Sequence, residues 1–163
     1  MPRSGKVEKR ASISDFIYDS SLINKLINKI MVSGKKTLAQ KIVYGALEEI
    51  RQSQDPVKTL ELAIENVTPK MEVRPRRVGG ASYMVPLEVR GTRRMSLALN
   101  WLISAARSKS PSETKRLKNK PLMISKLSAE ILEAAQNTGK AVAKKEEVHR
   151  MAEANKAFAH FRW

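Results

Sequence analysis

Apolar residues Leu22, Ile23, Leu26, Ile27, Ile30 and Met31 recur at three- and four-residue spacing over 20–32. That spacing predicts a helix with one apolar stripe, closed by Ser33-Gly34. A second helix is predicted over 35–52, burying Leu38, Ile42, Ala46 and Ile50, with Val43 and Leu47 on the neighbouring ridge. Asp55-Pro56 starts a third: the Asp55 side chain can cap free amides, and Pro56 suits the first helical position. Val57, Leu60, Ala63, Ile64 and Val67 form its stripe until Pro69. The period then changes to two. Met71 and Val73, then Val85, Leu87 and Val89, alternate with Glu72, Arg74, Glu88 and Arg90 on either side of Gly79-Gly80, predicting a hairpin over 70–90. It is too short and polar to stand alone as a sheet, and Pro75 and Pro86 favour edge positions. The ribbon is therefore expected to project from a helical body.

Helical spacing resumes with Met95, Ala98, Leu99, Leu102, Ala105 and Ala106, with Trp101 beside the stripe, and this fourth helix runs to about Arg107. Ser, Lys, Pro and Asn dominate 108–121, the composition of a surface loop. A fifth helix follows over 122–136, with Ile124, Leu127, Ile131 and Ala135 inward, and stops at Asn137-Thr138-Gly139. The last helix is predicted over 145–157, with Glu146 and Glu147 in its first turn, where the dipole favours acids, and Val148, Met151 and Ala152 inward. Phe158, Phe161 and Trp163 close the chain among basic residues.

A length of 163 residues with 42% hydrophobic content suits one domain with a core. The predicted architecture is mainly α: a bundle of about six helices, a protruding two-stranded β-hairpin, and a flexible basic arm over 1–19. Arg3, Lys6, Lys9 and Arg10 in that arm have few apolar neighbours before Ile13, so the arm is expected to order on its partner. No run of apolar residues is long enough to span a bilayer, and residues 1–10 do not read as a signal peptide. Cysteine is absent, which excludes disulfides, thiolate nucleophiles and thiolate zinc sites.

The formal charge is +15, and so much positive charge repels itself in a folded domain unless a polyanion screens it. The charge is clustered. Arg74, Arg76, Arg77, Arg90, Arg93 and Arg94 decorate the hairpin and the start of the fourth helix, and a guanidinium fork pairs with phosphate bidentately and stacks on bases. Solvated charge runs favour lysine mixed with acid, whereas this cluster is nearly all arginine, which points to structured RNA. Tyr83 near the tip either stacks on a base or covers the ribbon. Lys35 and Lys36 stand in the first turn of a helix, where cations oppose the dipole unless an anion sits there, and a backbone phosphate would resolve that conflict.

Gly34-Lys35-Lys36-Thr37 resembles the end of a nucleotide-binding loop, but Lys29 stands where the first glycine is required and no strand precedes it. His149 and His160 are the only histidines. Glu146 and Glu153 lie at helical spacing from His149, as a surface pair does, with no further ligands in view. No catalytic residue, metal ligand or cofactor is assigned. A DNA-reading protein would need a recognition helix with paired base-reading residues in one exposed row, and none is found. A membrane-surface protein would need an apolar helix face to spare, whereas the core claims these stripes.

The segment running from His149-Arg150-Met151-Ala152-Glu153-Ala154-Asn155-Lys156 to Trp163, with Arg76-Arg77-Val78-Gly79-Gly80-Ala81 and Gly34-Lys35-Lys36, resembles the bacterial-type (bacterial or plastid) small-subunit ribosomal protein seven family. The likeness covers 22–107 and 127–163. It departs at Met84, where glutamine is common, at Gly91, where proline is common, and over 108–122, a longer basic stretch that reads as a lineage-specific insertion and either touches additional rRNA or is solvated. The resemblance implies a non-enzymatic ribosomal constituent, residing in the ribosome of the bacterial cytoplasm or, if organelle-encoded, of the plastid stroma. It would bind the 3′ major domain of small-subunit rRNA and nucleate assembly of the head. Exit-site tRNA, messenger RNA and neighbouring ribosomal proteins, protein eleven among them, would lie nearby. By motif match Arg3, Arg10, Lys35, Lys36, Arg74, Arg76, Arg77, Arg90, Arg93 and Arg94 would meet rRNA. Gly79, Gly80, Tyr83, His149, Arg150, Asn155 and Lys156 would lie nearest tRNA.

Overall fold

The computed structural model describes Gly5, residues 13–111 and residues 121–161. Arg3 and Arg10 of the predicted arm, and most of the 108–121 loop, lie outside the described residues. In chain order the elements are α1 (Ser21–Ile30), α2 (Lys36–Arg51), α3 (Pro56–Val67), β1 (Met71–Val78), β2 (Ala81–Glu88), α4 (Gly91–Ser108), α5 (Leu122–Ala135), α6 (Gly139–Ala154) and a 3-10 turn, Lys156–Phe161.

Helix α5 is the axis of the bundle, packing against α2, α3, α4 and α6, while α1 closes the side formed by α2 and α4. The stripes of Ile23, Leu26 and Ile27, of Leu60 and Ala63, of Leu99 and Leu102, and of Leu127 and Ile131 are buried in one core. Gly45 allows α2 to approach α5 closely, since a Cβ there would fall 2.7 Å from Ile124 Cδ1. Asp55 caps α3 as predicted, its carboxylate accepting the Val57 N–H at 3.1 Å, with Pro56 as first helical residue.

Helices α2 and α6 differ from the predicted ones. In α2 the buried face is Ala39, Val43, Ala46, Leu47 and Ile50, and Leu38 is largely exposed. The large side chains of Leu38 and Ile42 drew the predicted stripe one position too far round, whereas the small Ala39 is what fits against the core. Helix α4 begins at Gly91 with Arg93 and Arg94 in its first turn, as the sequence placed them, both bonded outward. Helix α6 begins at Gly139, six residues before the predicted start, burying Ala141, Val142 and Ala152. Glu146 and Glu147 therefore lie beyond the first turn, and Met151 faces solvent.

The hairpin is antiparallel, with Met71 opposite Glu88 and Val78 opposite Ala81. Gly79 and Gly80 form its two-residue turn at φ +57° and +86°, the pair of positive values that matches the right-handed twist of the strands. Its base rests on α6, and the 3-10 turn packs along β2. The segment before α1 is held as well. The Asp15 carboxylate accepts the N–H groups of Ile17 and Tyr18 and, at 2.7 Å, the Tyr44 hydroxyl. Residues 15–18, near the end of the predicted arm, are thus pinned to α2.

Candidate nucleic-acid interface

Alternation along β1 places Glu72, Arg74 and Arg76 on one side of the strand, and these three, with Leu87, Arg90 and Arg93, line an open groove between the hairpin and the first turn of α4. At its floor Glu72, only 9% exposed, meets two guanidinium groups. Arg74 Nε lies 2.6 Å from Oε1 and Arg93 Nε 2.8 Å from Oε2. Arg94 is fixed from the flank, its Nε donating to the Val89 carbonyl at 2.7 Å and its Nη2 to Glu88 Oε1 at 2.7 Å.

Among the described residues, Arg76, Arg77 and Arg90 pair with no carboxylate. Arg77 and Arg90 are exposed and Arg76 is half-buried. Six guanidinium groups thus face the two carboxylates Glu72 and Glu88, which leaves four positive charges on the patch. Arg74 and Arg93 are held in orientation yet half exposed, with donors left over for an incoming anion. That arrangement suits phosphate oxygens.

Lys35 and Lys36 do not join this groove. Lys35 precedes α2 and Lys36 begins it, after a turn in which Ser33 and Gly34 have φ of +53° and +73°. Among the described residues, the first turn of α2 holds no acid and Lys35 makes no side-chain cap. Lys35 borders a separate apolar depression lined by Ile30, Val32, Leu38, Ile42 and Arg107.

The residues matched to the tRNA side divide in two. Gly79 and Gly80 are exposed at the tip, and Arg150 and Lys156 are exposed on the C-terminal segment. Tyr83, His149 and Asn155 are engaged within the protein. The Tyr83 ring lies 5.3 Å from that of Phe158 and 5.1 Å from that of Phe161, which clasps β2 to the 3-10 turn. His149 Nε2 accepts the Lys70 N–H at 3.0 Å, anchoring the hairpin base to α6. Burial, with Lys145 and Lys70 nearby, lowers the His149 pKa, so the neutral ring that can accept this bond is favoured; Glu153 opposes the shift. Asn155 Nδ2 donates to the Met151 carbonyl at 2.8 Å.

Sequence reasoning missed the part of Glu72, which alternation had placed on a polar flank, and that of Phe158 and Phe161 as partners of Tyr83. The available signal for Glu72 was an acid two positions from Arg74 in an otherwise basic strand. Among the described residues no group of three or more His, Asp or Glu side chains is placed to share a metal ion, and no helix is long and apolar enough to cross a membrane.

The ribosomal protein S7p/S5e family matches residues 2–156. Small ribosomal subunit protein uS7 of Caldicellulosiruptor bescii is 54% identical over 165 aligned positions, covering 100% of this chain and 100% of that protein. The proteins of the same name from Thermoanaerobacter sp. and Dictyoglomus thermophilum are 54% and 55% identical, with the same full coverage. With the arginine-lined hairpin, the helical bundle and a match along nearly its whole length, the chain belongs to the ribosomal protein S7p/S5e family.

Proposed function

We propose that residues 1–163 act as one rRNA-binding unit that recognises the 3′ major domain of small-subunit rRNA and nucleates assembly of the head, beside the tRNA exit site and the messenger path. Membership of the family makes the chain a structural constituent of the small ribosomal subunit and not an enzyme. The observation that carries the finer reading is the net-positive groove of Arg74, Arg76, Arg90 and Arg93, organised by the buried Glu72. Oriented guanidinium groups select a particular arrangement of phosphates, whereas mobile cations bind any polyanion.

In this reading Arg76, Arg77, Arg90 and Arg94 meet rRNA with Arg74 and Arg93, Lys35 and Lys36 take a second backbone segment, and Arg3 and Arg10 a third. Arg150 and Lys156, with the Gly79-Gly80 tip, face exit-site tRNA, messenger RNA and the neighbouring protein eleven. Tyr83, His149 and Asn155 serve that side indirectly, by holding the hairpin and the C-terminal turn in place.

The test is binding of the purified chain to a 3′ major domain transcript and to a scrambled RNA of equal length across a salt series. Preference for the transcript near physiological salt is expected. Arg76→Ala with Arg77→Ala is expected to weaken binding and to reduce the slope of log affinity against log salt by about two. Equal binding to both RNAs would overturn the reading. For the tRNA side, Arg150→Ala with Lys156→Ala is expected to leave transcript affinity unchanged and to weaken tRNA retention in assembled subunits.

A further inference from the structure

Three large apolar side chains stand in water just before α1: Ile13 is 75% exposed, Phe16 100% and Ile17 62%. One exposed apolar residue is ordinary, but three within five positions are a cluster. The backbone that carries them is fixed on both sides of Phe16. Asn24 Nδ2 donates to the Ile13 carbonyl at 2.7 Å, the Asp15 N–H donates to the Ser20 carbonyl at 3.2 Å, and the Asp15 carboxylate holds the Ile17 and Tyr18 amides and the Tyr44 hydroxyl. Of the two rings in this loop, Tyr18 turns inward, 6.3 Å from Tyr44. Phe16 alone points outward, its ring presented to solvent from a backbone that is already fixed.

Charge decides what it is presented to. Residues 1–12, leading directly into the loop, carry Arg3, Lys6, Lys9 and Arg10 against the single acid Glu8. A cationic tract running into an exposed ring on a fixed backbone is the pairing by which proteins take single-stranded nucleic acid: cations follow the nucleic-acid backbone while a base lies on the ring. An apolar pocket on a protein neighbour would fit a leucine as well and would gain nothing from the cations.

We propose that Phe16 is a stacking platform for an unpaired base of the bound RNA, with Ile13 and Ile17 sheltering the edges of the stack. This rests on the rRNA-binding reading above. It adds a contact that is aromatic and uncharged, and so separable from the arginine groove.

The experiment measures affinity of the wild-type chain and of Phe16→Ala, Phe16→Leu and Phe16→Trp for the 3′ major domain transcript and for scrambled RNA, over a salt series. Phe16→Ala and Phe16→Leu are expected to weaken binding about tenfold, and Phe16→Trp to retain it. The salt slope should be the same in all four proteins, because no cation is removed. An unchanged affinity for Phe16→Ala, or a Phe16→Leu chain that binds as the wild type does, overturns the proposal; the leucine result would indicate an apolar contact without stacking. If wild-type chain binds both RNAs equally, the ribosomal reading fails, while the alanine-to-tryptophan contrast still decides stacking, which tolerates any base. Thermal unfolding of each variant should match wild type, since the Phe16 ring is fully exposed.

Discussion

Glu72 accepts Arg93 Nε at 2.8 Å, joining β1 to the first turn of α4 across 21 positions of the chain. The same carboxylate holds Arg74, so one nearly buried acid orients two arginines of the groove. Removing it would add to the net positive charge and disorganise the patch at once. Glu72→Ala is expected to lower stability by about 1 kcal/mol, less than a buried charge-assisted contact contributes, because both guanidinium groups remain half in water. It is also expected to weaken binding to the cognate transcript relative to scrambled RNA. If affinity for both RNAs rises together, bulk charge governs binding and the orientation of the arginines is immaterial.

The Tyr44 hydroxyl donates to Asp15 Oδ1 at 2.7 Å, and burial together with that carboxylate pushes its pKa from 10.0 up to about 12. A folded-state value above the unfolded one favours the protonated form in the fold. The stabilisation is therefore complete below about pH 10 and is lost as pH rises through about 12. Spectrophotometric titration of the three tyrosines should show one late component that Tyr44→Phe removes. Asp15→Asn should move that component back toward the ordinary value. If the late component survives Tyr44→Phe, the assignment to this contact is wrong.

His149 has the opposite dependence. Its pKa is held below 6.5 by burial, Lys145 and Lys70, so the fold favours the neutral ring that accepts the Lys70 N–H. The contribution is present above the unfolded value and is lost as pH falls through the lower folded value. Protonation turns the acceptor into a donor and sets a cation beside two lysines. Urea unfolding between about pH 8 and pH 5 should show a loss of stability toward acid that is smaller in His149→Gln. Parallel pH profiles for the two proteins would remove His149 as the anchor of the hairpin base.

Elements with strong periodicity and explicit end signals were legible: α1, the Asp55-Pro56 start of α3, and the Gly79-Gly80 turn. Ala39 in α2 and Ala141 in α6 were not, because they give little hydrophobic contrast beside Lys36 and Lys140. The arginine cluster was visible as composition. Its organisation was not, since burial of Glu72 follows from cover by arginine side chains and leaves no mark on the alternation. The role of Tyr83 stayed open in sequence for a related reason: its partners Phe158 and Phe161 lie some seventy-five positions away, and only the fold brings them together.

The same limit hid a buried charged pair. Glu130 lies on the stripe of Leu127 and Ile131 and is wholly inaccessible, and Lys109, just past α4, reaches it at 3.0 Å and Glu133 at 2.5 Å. The other Glu130 oxygen accepts the Ala141 N–H at 2.9 Å, in the first turn of α6, where Thr138 provides no side-chain cap. One carboxylate thus ties together the end of α4, the middle of α5 and the start of α6. A buried pair adds little over an apolar replacement, but breaking it from one side strands a charge. Lys109→Met is therefore expected to cost about 3–5 kcal/mol and to lower the thermal midpoint by about 10 °C. Glu130→Gln keeps an acceptor for Ala141 and removes the charge, and should cost less than Lys109→Met. The reverse order would mean that the carboxylate matters as a cap for α6 and that its pairing with Lys109 is incidental.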